Sequence, residues 1–227
     1  MKSLYQYKEI LPSNVLYHLE KCFSKGYYKK EYNCSSLLFV HIPKNAGCSV
    51  NKMLYGVDHL GHNSLRDRYA FDTEFYNSKF KFCVKRNPFE RFISAFNFSS
   101  SGGFQISQNS KNVIKAIKKY PDINDFTCHW FAYQNLDVID HVFRSQSYYV
   151  ADQNGNLLVD KVYDMDMLDT DFFRVLSQDS GEKILTRFPK RNKTKTSNSY
   201  LGKIILSDYT KEIIRQKYAD DFKIFGF

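Results

Sequence analysis

At 227 residues the chain is long enough for one α/β-sized domain with a substantial core, and its 20 Phe and 17 Tyr exclude a chain that is disordered throughout. Lys and Arg outnumber Asp and Glu by 33 to 24, a formal charge of +9 that calls for anionic partners: a nucleotide, an acidic glycan, nucleic acid or a membrane surface. The five cysteines (Cys22, Cys34, Cys48, Cys83 and Cys128) have no Cys-x-x-Cys spacing and no histidine pair nearby, so neither a zinc site nor a disulfide framework is expected.

Residues 1–31 are polar and Tyr-rich, without the apolar core of a signal peptide or a run long enough to span a bilayer. The expectation is a cytoplasmic protein with free thiols. Val15, Leu16 and Leu19 give a weak amphipathic pattern in an N-terminal extension, 1–35, ahead of a single domain over 36–227.

Leu37-Leu38-Phe39-Val40 is an apolar run of the kind found in strands buried on both faces. It breaks into His41-Ile42-Pro43-Lys44-Asn45-Ala46-Gly47-Cys48-Ser49, which reads as a loop and a helix start. Gly47 permits close backbone approach, the first N–H groups of the helix have no intrahelical acceptor, and Lys44 and Ser49 add a charge and a hydroxyl. Such a loop can hold a phosphate; a plain strand-turn-helix with a solvated lysine is the competing reading. Gly-x-x-x-x-Gly-Lys-Ser/Thr is absent, which argues against an ATPase or a nucleotide kinase.

Residues 58–67 contain His59 and His62 in a polar stretch with Gly61. Such histidines are commonly solvated, but an imidazole also has the pKa to take a proton from a hydroxyl. Phe80-Lys81-Phe82-Cys83-Val84-Lys85 then reads as a second strand. Asn87 is a good N-cap and Pro88 a good first residue for a following helix, whose apolar face is Phe89, Phe92, Ile93 and Phe96. Arg86 at the strand end and Ser94 on the helix can address one anion.

Pro43-Lys44-x-x-Gly47-x-Ser49 after one strand and Arg86-Asn87-Pro88-x-x-Arg91-x-x-Ser94 after another resemble the two phosphate motifs of the PAPS-dependent sulfotransferases. The match is closest to carbohydrate sulfotransferases related to the heparan 2-O- and chondroitin families. The resemblance implies a P-loop-like three-layer α/β fold with a central, mainly parallel sheet flanked by helices. It implies PAPS (3′-phosphoadenosine 5′-phosphosulfate) as donor, with residues 43–49 (Pro43, Lys44, Asn45, Ala46, Gly47, Cys48, Ser49) at the 5′-phosphosulfate and Arg86 and Ser94 at the 3′-phosphate. It also implies a catalytic base in the Gly-His stretch: His62 by position, with His59 as the alternative, and Lys44 as the group that stabilises the leaving phosphate oxygen. His41 would pack or orient. No metal is implied. The acceptor that the resemblance implies is a carbohydrate hydroxyl, on a polysaccharide, an acidic glycan or a lipid-linked sugar alike.

Further along, 99–103 reads as a flexible loop. The helix over 111–120 has Val113, Ile114 and Ile117 inward and lysines outward, and a helix over 123–134 carries the one tryptophan, Trp130. Residues 140–150 lead into Asp152-Gln153-Asn154-Gly155, a hairpin-turn signal, with 157–163 as the returning arm. Arg144 and Gln146 match a family segment on the substrate side. Asp169 caps a helix through Leu176. Residues 183–195 carry six basic and no acidic side chains; there Asn192-Lys193-Thr194-Lys195 resembles a family loop that closes over the nucleotide, so Lys193 and Thr194 join the cofactor set. Ser207 caps a last helix with Ile214, Tyr218 and Phe222 at its core face. A basic nucleic-acid-binding protein would explain the charge but leave both motifs as coincidence, so no nucleic acid is expected.

Overall fold

The computed structural model describes Val15 and residues 30–68, 73–103, 107–168, 171–184 and 204–227. Three parallel strands, β1 (Leu37–Val40), β2 (Phe80–Lys85) and β3 (Lys161–Asp164), form a sheet in the order β1-β2-β3. The register pairs Val40 with Cys83 and Val84 with Tyr163. All four residues of β1 and the middle four of β2 are buried, because helices cover both faces. The expected three-layer α/β architecture with a parallel sheet is what the chain adopts.

Side chains alternate across that sheet. Leu37, Phe39, Phe82, Val84 and Tyr163 pack on one face with Val50 of α1 (Gly47–Tyr55) and later with Phe172, Phe173 and Leu176 of α5 (Phe172–Ser180). Leu38, Val40 and Cys83 face the other way, against Leu60, Leu65, Tyr149, Val150 and Phe225. A third, largely aromatic cluster lies beside the sheet. It joins α2 (Pro88–Ser100), α3 (Gln108–Lys119), α4 (Ile123–His129) and α6 (Asp208–Lys217) through Phe92, Phe96, Phe126, Phe131, Phe143 and Tyr218.

Local signals set several boundaries. The Asn87 side chain accepts from Phe89 N at 3.0 Å with Pro88 next, and Ser207 Oγ accepts from Thr210 N at 3.1 Å. The helix around Lys111 begins at Gln108, capped by Ser107, and buries Val113, Ala116 and Ile117. Residues 123–134 divide into α4 and a 3-10 turn, Phe131–Tyr133. The last helix is interrupted at Tyr218 and resumes as α7 (Ala219–Phe225). Val15 lies in a helical residue, while Leu16, Leu19, Asp169 and residues 185–195 lie outside the described residues.

The hairpin expectation needs correction. The Asp152–Asn156 turn is present, with Asp152 N donating to Asn156 O at 2.9 Å, but pairing across it is a single bridge between Ala151 and Leu157. The first arm is a helical turn, Ser147–Val150, and the returning arm becomes β3, parallel to β2. Asp221 is the physical reason. Its buried carboxylate accepts from Gln146 N and Ser147 N, both at 2.8 Å, and so caps a helical turn from 74 residues away.

Candidate active site

Because β1 and β2 are parallel neighbours, the segments leaving their C-terminal ends emerge side by side, the usual position for a ligand in an open α/β sheet. Residue 44 and residue 46 have φ of 71° and 58°, left-handed values that cost non-glycine residues about 1–3 kcal/mol each. Three side chains hold this strained loop. Arg91 Nε donates to Pro43 O at 3.0 Å, and its Nη2 to Val142 O at 3.2 Å. Asn45 Nδ2 donates to Val84 O and to Gln146 Oε1, both at 2.7 Å. Gln146 Nε2 in turn donates to Arg86 O at 2.9 Å, while its Oε1 also accepts from Arg86 N at 3.0 Å.

The result is a pair of cations at one place. Arg86 Nη1 donates to Lys44 O at 3.2 Å, and Lys44 Nζ stands 4.2 Å from the centre of the Phe98 ring. Burial and then the Arg86 charge hold the Lys44 ammonium below its ordinary pKa. Among the described residues no carboxylate pairs with Lys44, and the Arg86 partner, Glu90, is largely exposed at 3.4 Å. The N–H groups of Gly47 and Cys48, which open α1, have no acceptor within the helix. Lys44, with no carboxylate partner among the described residues, and Arg86, with only an exposed one, stand beside a helix start, an arrangement that can receive an anion.

Four histidines meet next to it. Ring centres are 4.2 Å apart for His41 and His62, 4.8 Å for His59 and His62, and 5.0 Å for His62 and His141. The His62 Nδ1 nitrogen lies 3.1 Å from the carbonyl oxygen of His41. A carbonyl only accepts, so neutral His62 carries its proton on Nδ1 and presents a lone pair at Nε2. Burial, then the neighbouring imidazoles, lowers His62 to about 2; burial, then His59, His141 and Lys44, lowers His41 to about 3. His141 is also lowered, chiefly by burial, with Asp140 opposing from 3.3 Å. All three rings are neutral near pH 7. The arrangement can bind an oxyanion and take a proton beside it.

Residues 32–227, nearly the whole chain, match the family model described as the Sulfotransferase family. The chain belongs to the sulfotransferase family. No curated protein and no solved structure matches it.

In this sulfotransferase Pro43, Lys44, Ala46, Gly47, Cys48, Ser49 and Arg86 are together at the strand ends, with Cys48 and Ser49 exposed on the first turn of α1. His62 and His59 are together, and Ser94 is half-buried on α2. Arg144 lies near His141, its Nε donating to Ile139 O at 3.2 Å and its Nη1 to the Tyr148 hydroxyl at 3.0 Å. Gln146 differs from the expected substrate contact: it is fully buried, and its amide is spent on Asn45 and both polar backbone atoms of Arg86. Asn45 is also buried, with its amide nitrogen turned inward. Lys193 and Thr194 lie outside the described residues. Among these residues no helix is long and apolar enough to cross a membrane.

Sequence reasoning gave no role to His141, Asp140 or Asp221, and quoted Arg91 only as a position of the second phosphate motif. Arg91 carried a signal, since it lies three residues after Pro88 on the side of the helix that the phenylalanines bury. Gly47 has a reason other than the expected approach to a ligand. A Cβ there would strike the ring of His41, at its Cδ2 and Nε2.

Proposed function

We propose that this sulfotransferase takes its sulfuryl group from PAPS and delivers it to a hydroxyl of a carbohydrate. The observation that supports this most is the hydrogen bond from Arg86 to the Lys44 carbonyl, which unites two anion motifs 42 residues apart in sequence. A donor with phosphate groups at both ends of a nucleoside needs two cationic positions, and Lys44 and Arg86 with the opening amides of α1 fit it. Ser49, exposed on the first turn of α1, and Ser94, half-buried on α2, are the hydroxyl donors of the two motifs in this reading.

When bound, PAPS supplies an activated sulfuryl group. The protein's part is positioning and fixed charge. Lys44 opposes the negative charge that grows on the phosphate oxygen as its bond to sulfur breaks. His62 Nε2 takes the proton of the acceptor hydroxyl as the new oxygen–sulfur bond forms, and His59 is the alternative base. Arg86 holds the nucleotide, and Arg144 lies on the acceptor side. The lowered pKa of His62 keeps Nε2 unprotonated, and an anion beside the cluster raises its basicity.

Radiolabelled PAPS incubated with the protein and a panel of polysaccharides, glycolipids and simple glycosides tests this. Label transferred to a sugar hydroxyl supports the reading. Transfer only to phenols or peptides would overturn the acceptor, and no use of PAPS would overturn the donor.

A further inference from the structure

The cluster holds more imidazole than the transfer reaction uses. One base suffices, yet His41, His59 and His62 each offer a ring nitrogen, and these atoms all lie within 4.8 Å of one another. His41 follows β1, whereas His59 and His62 lie between α1 and the helical turn Leu65–Arg68, so the fold rather than a local motif assembles them. We propose that His41, His59 and His62 form a site for one imidazole-preferring dication, with Zn2+ as its probe.

The donor set is three imidazole nitrogens and no carboxylate, which suits Zn2+ and its d-block neighbours and not Mg2+ or Ca2+. The His41 carbonyl holds the His62 proton on Nδ1 and so aims the Nε2 lone pair outward, the usual role of an outer-shell acceptor. Buried Asn51 completes this shell. Its Nδ2 lies 3.3 Å from His41 Nδ1, and its Oδ1 has no hydrogen-bond partner. With the amide turned over, Oδ1 accepts from His41 Nδ1–H, and Nε2 becomes the ligand.

Tetrahedral Zn2+ with bonds of about 2.0–2.1 Å sets ligand nitrogens about 3.4 Å apart. The widest pair therefore closes by roughly 1.4 Å. His59 is exposed and can supply that movement. Three protein ligands leave the fourth position to water or an anion, and the nearby Lys44 charge favours the anion. Resting on the reading of His62 as the base, metal and acceptor proton compete for one lone pair, and Zn2+ is an inhibitor of transfer.

Calorimetric titration of the full chain with Zn2+, and the absorption spectrum of its Co2+ complex, test the site without any substrate. Saturable one-site binding that Mg2+ does not reproduce is expected. Affinity should fall in His59→Ala by more than about 100-fold, beyond the roughly 10- to 100-fold typical of an outer-shell loss. Asn51→Leu should fall within that smaller range. Thermal melts of both variants establish that they are folded; His59 is exposed, so its variant keeps the proposal testable if Asn51→Leu unfolds. No saturable Zn2+ binding, affinity unchanged in His59→Ala, or a thiolate charge-transfer band in the Co2+ spectrum would each overturn the site. Binding without inhibition of transfer would leave the site standing and remove His62 as the base.

Discussion

Asn45 and Gln146, 101 residues apart in sequence, are joined by a hydrogen bond of 2.7 Å between Nδ2 and Oε1. Through it Gln146 ties the strained loop after β1 to Arg86 at the end of β2. Replacing it by Leu leaves the Asn45 amide and both polar backbone groups of Arg86 without this partner. The expected cost is about 2–4 kcal/mol, because removing one side of a buried hydrogen bond exposes the full desolvation penalty of the other. Urea unfolding of Gln146→Leu measures it. A change within about 0.5 kcal/mol, the scatter of ordinary surface substitutions, would contradict the clamp.

Gly47 has its place because of His41. Gly47→Ala should destabilise the protein by about 1–3 kcal/mol, the usual range for overpacking, although alanine normally favours a helix start over glycine. In a His41→Ala background the same change should cost little. Equal costs in both backgrounds, read in a double-mutant cycle, would show that the two residues do not meet.

The backbone strain at residue 46 predicts a gain. Ala46 is held at φ 58°, where glycine is at ease, so Ala46→Gly should stabilise by about 1 kcal/mol in a thermal melt. No gain, or a loss, would mean that the loop relaxes away from this geometry.

Lys44 and Arg86 should separate by kinetics. Lys44→Ala is expected to lower turnover by orders of magnitude in a protein that still folds. Arg86→Ala is expected mainly to weaken binding of PAP, the desulfated nucleotide. Near-normal turnover of the first removes Lys44 from the mechanism; unchanged PAP affinity of the second removes Arg86 from the 3′-phosphate.

Stability should fall on the acid side of neutrality. His41 and His62 have folded pKa values near 3 and 2, below the ordinary 6.5 of the unfolded chain. As pH drops below about 6.5 the unfolded state takes up protons first, so stability is lost from there downward until the folded values are passed. Melting temperature from pH 7.5 to 5 should decline, and the ring signals of His62 in proton NMR should not titrate over that range. Ordinary titration near 6.5 would refute the buried, neutral cluster.

What the sequence reveals and what it hides divides by distance along the chain. Leu37-Leu38-Phe39-Val40, the Asn87-Pro88 helix start and the Ser207 cap are local patterns, and each stands where expected. The helical turn at Ser147–Val150 is imposed by Asp221, a residue whose partners no short window contains, so the Asn154-Gly155 signal overstates the hairpin. The site divides likewise. Lys44 and Arg86 were legible from motifs, whereas the meeting of His41, His59, His62 and His141 depends on how the intervening segments pack.

The most direct test of the central claim is calorimetric binding of PAP at moderate salt, with ADP as the control that lacks the 3′-phosphate. Binding of PAP far tighter than ADP is the predicted result, lost in Arg86→Ala. Equal affinity for the two nucleotides, or none for either, would contradict a PAPS-dependent transferase built on Lys44 and Arg86.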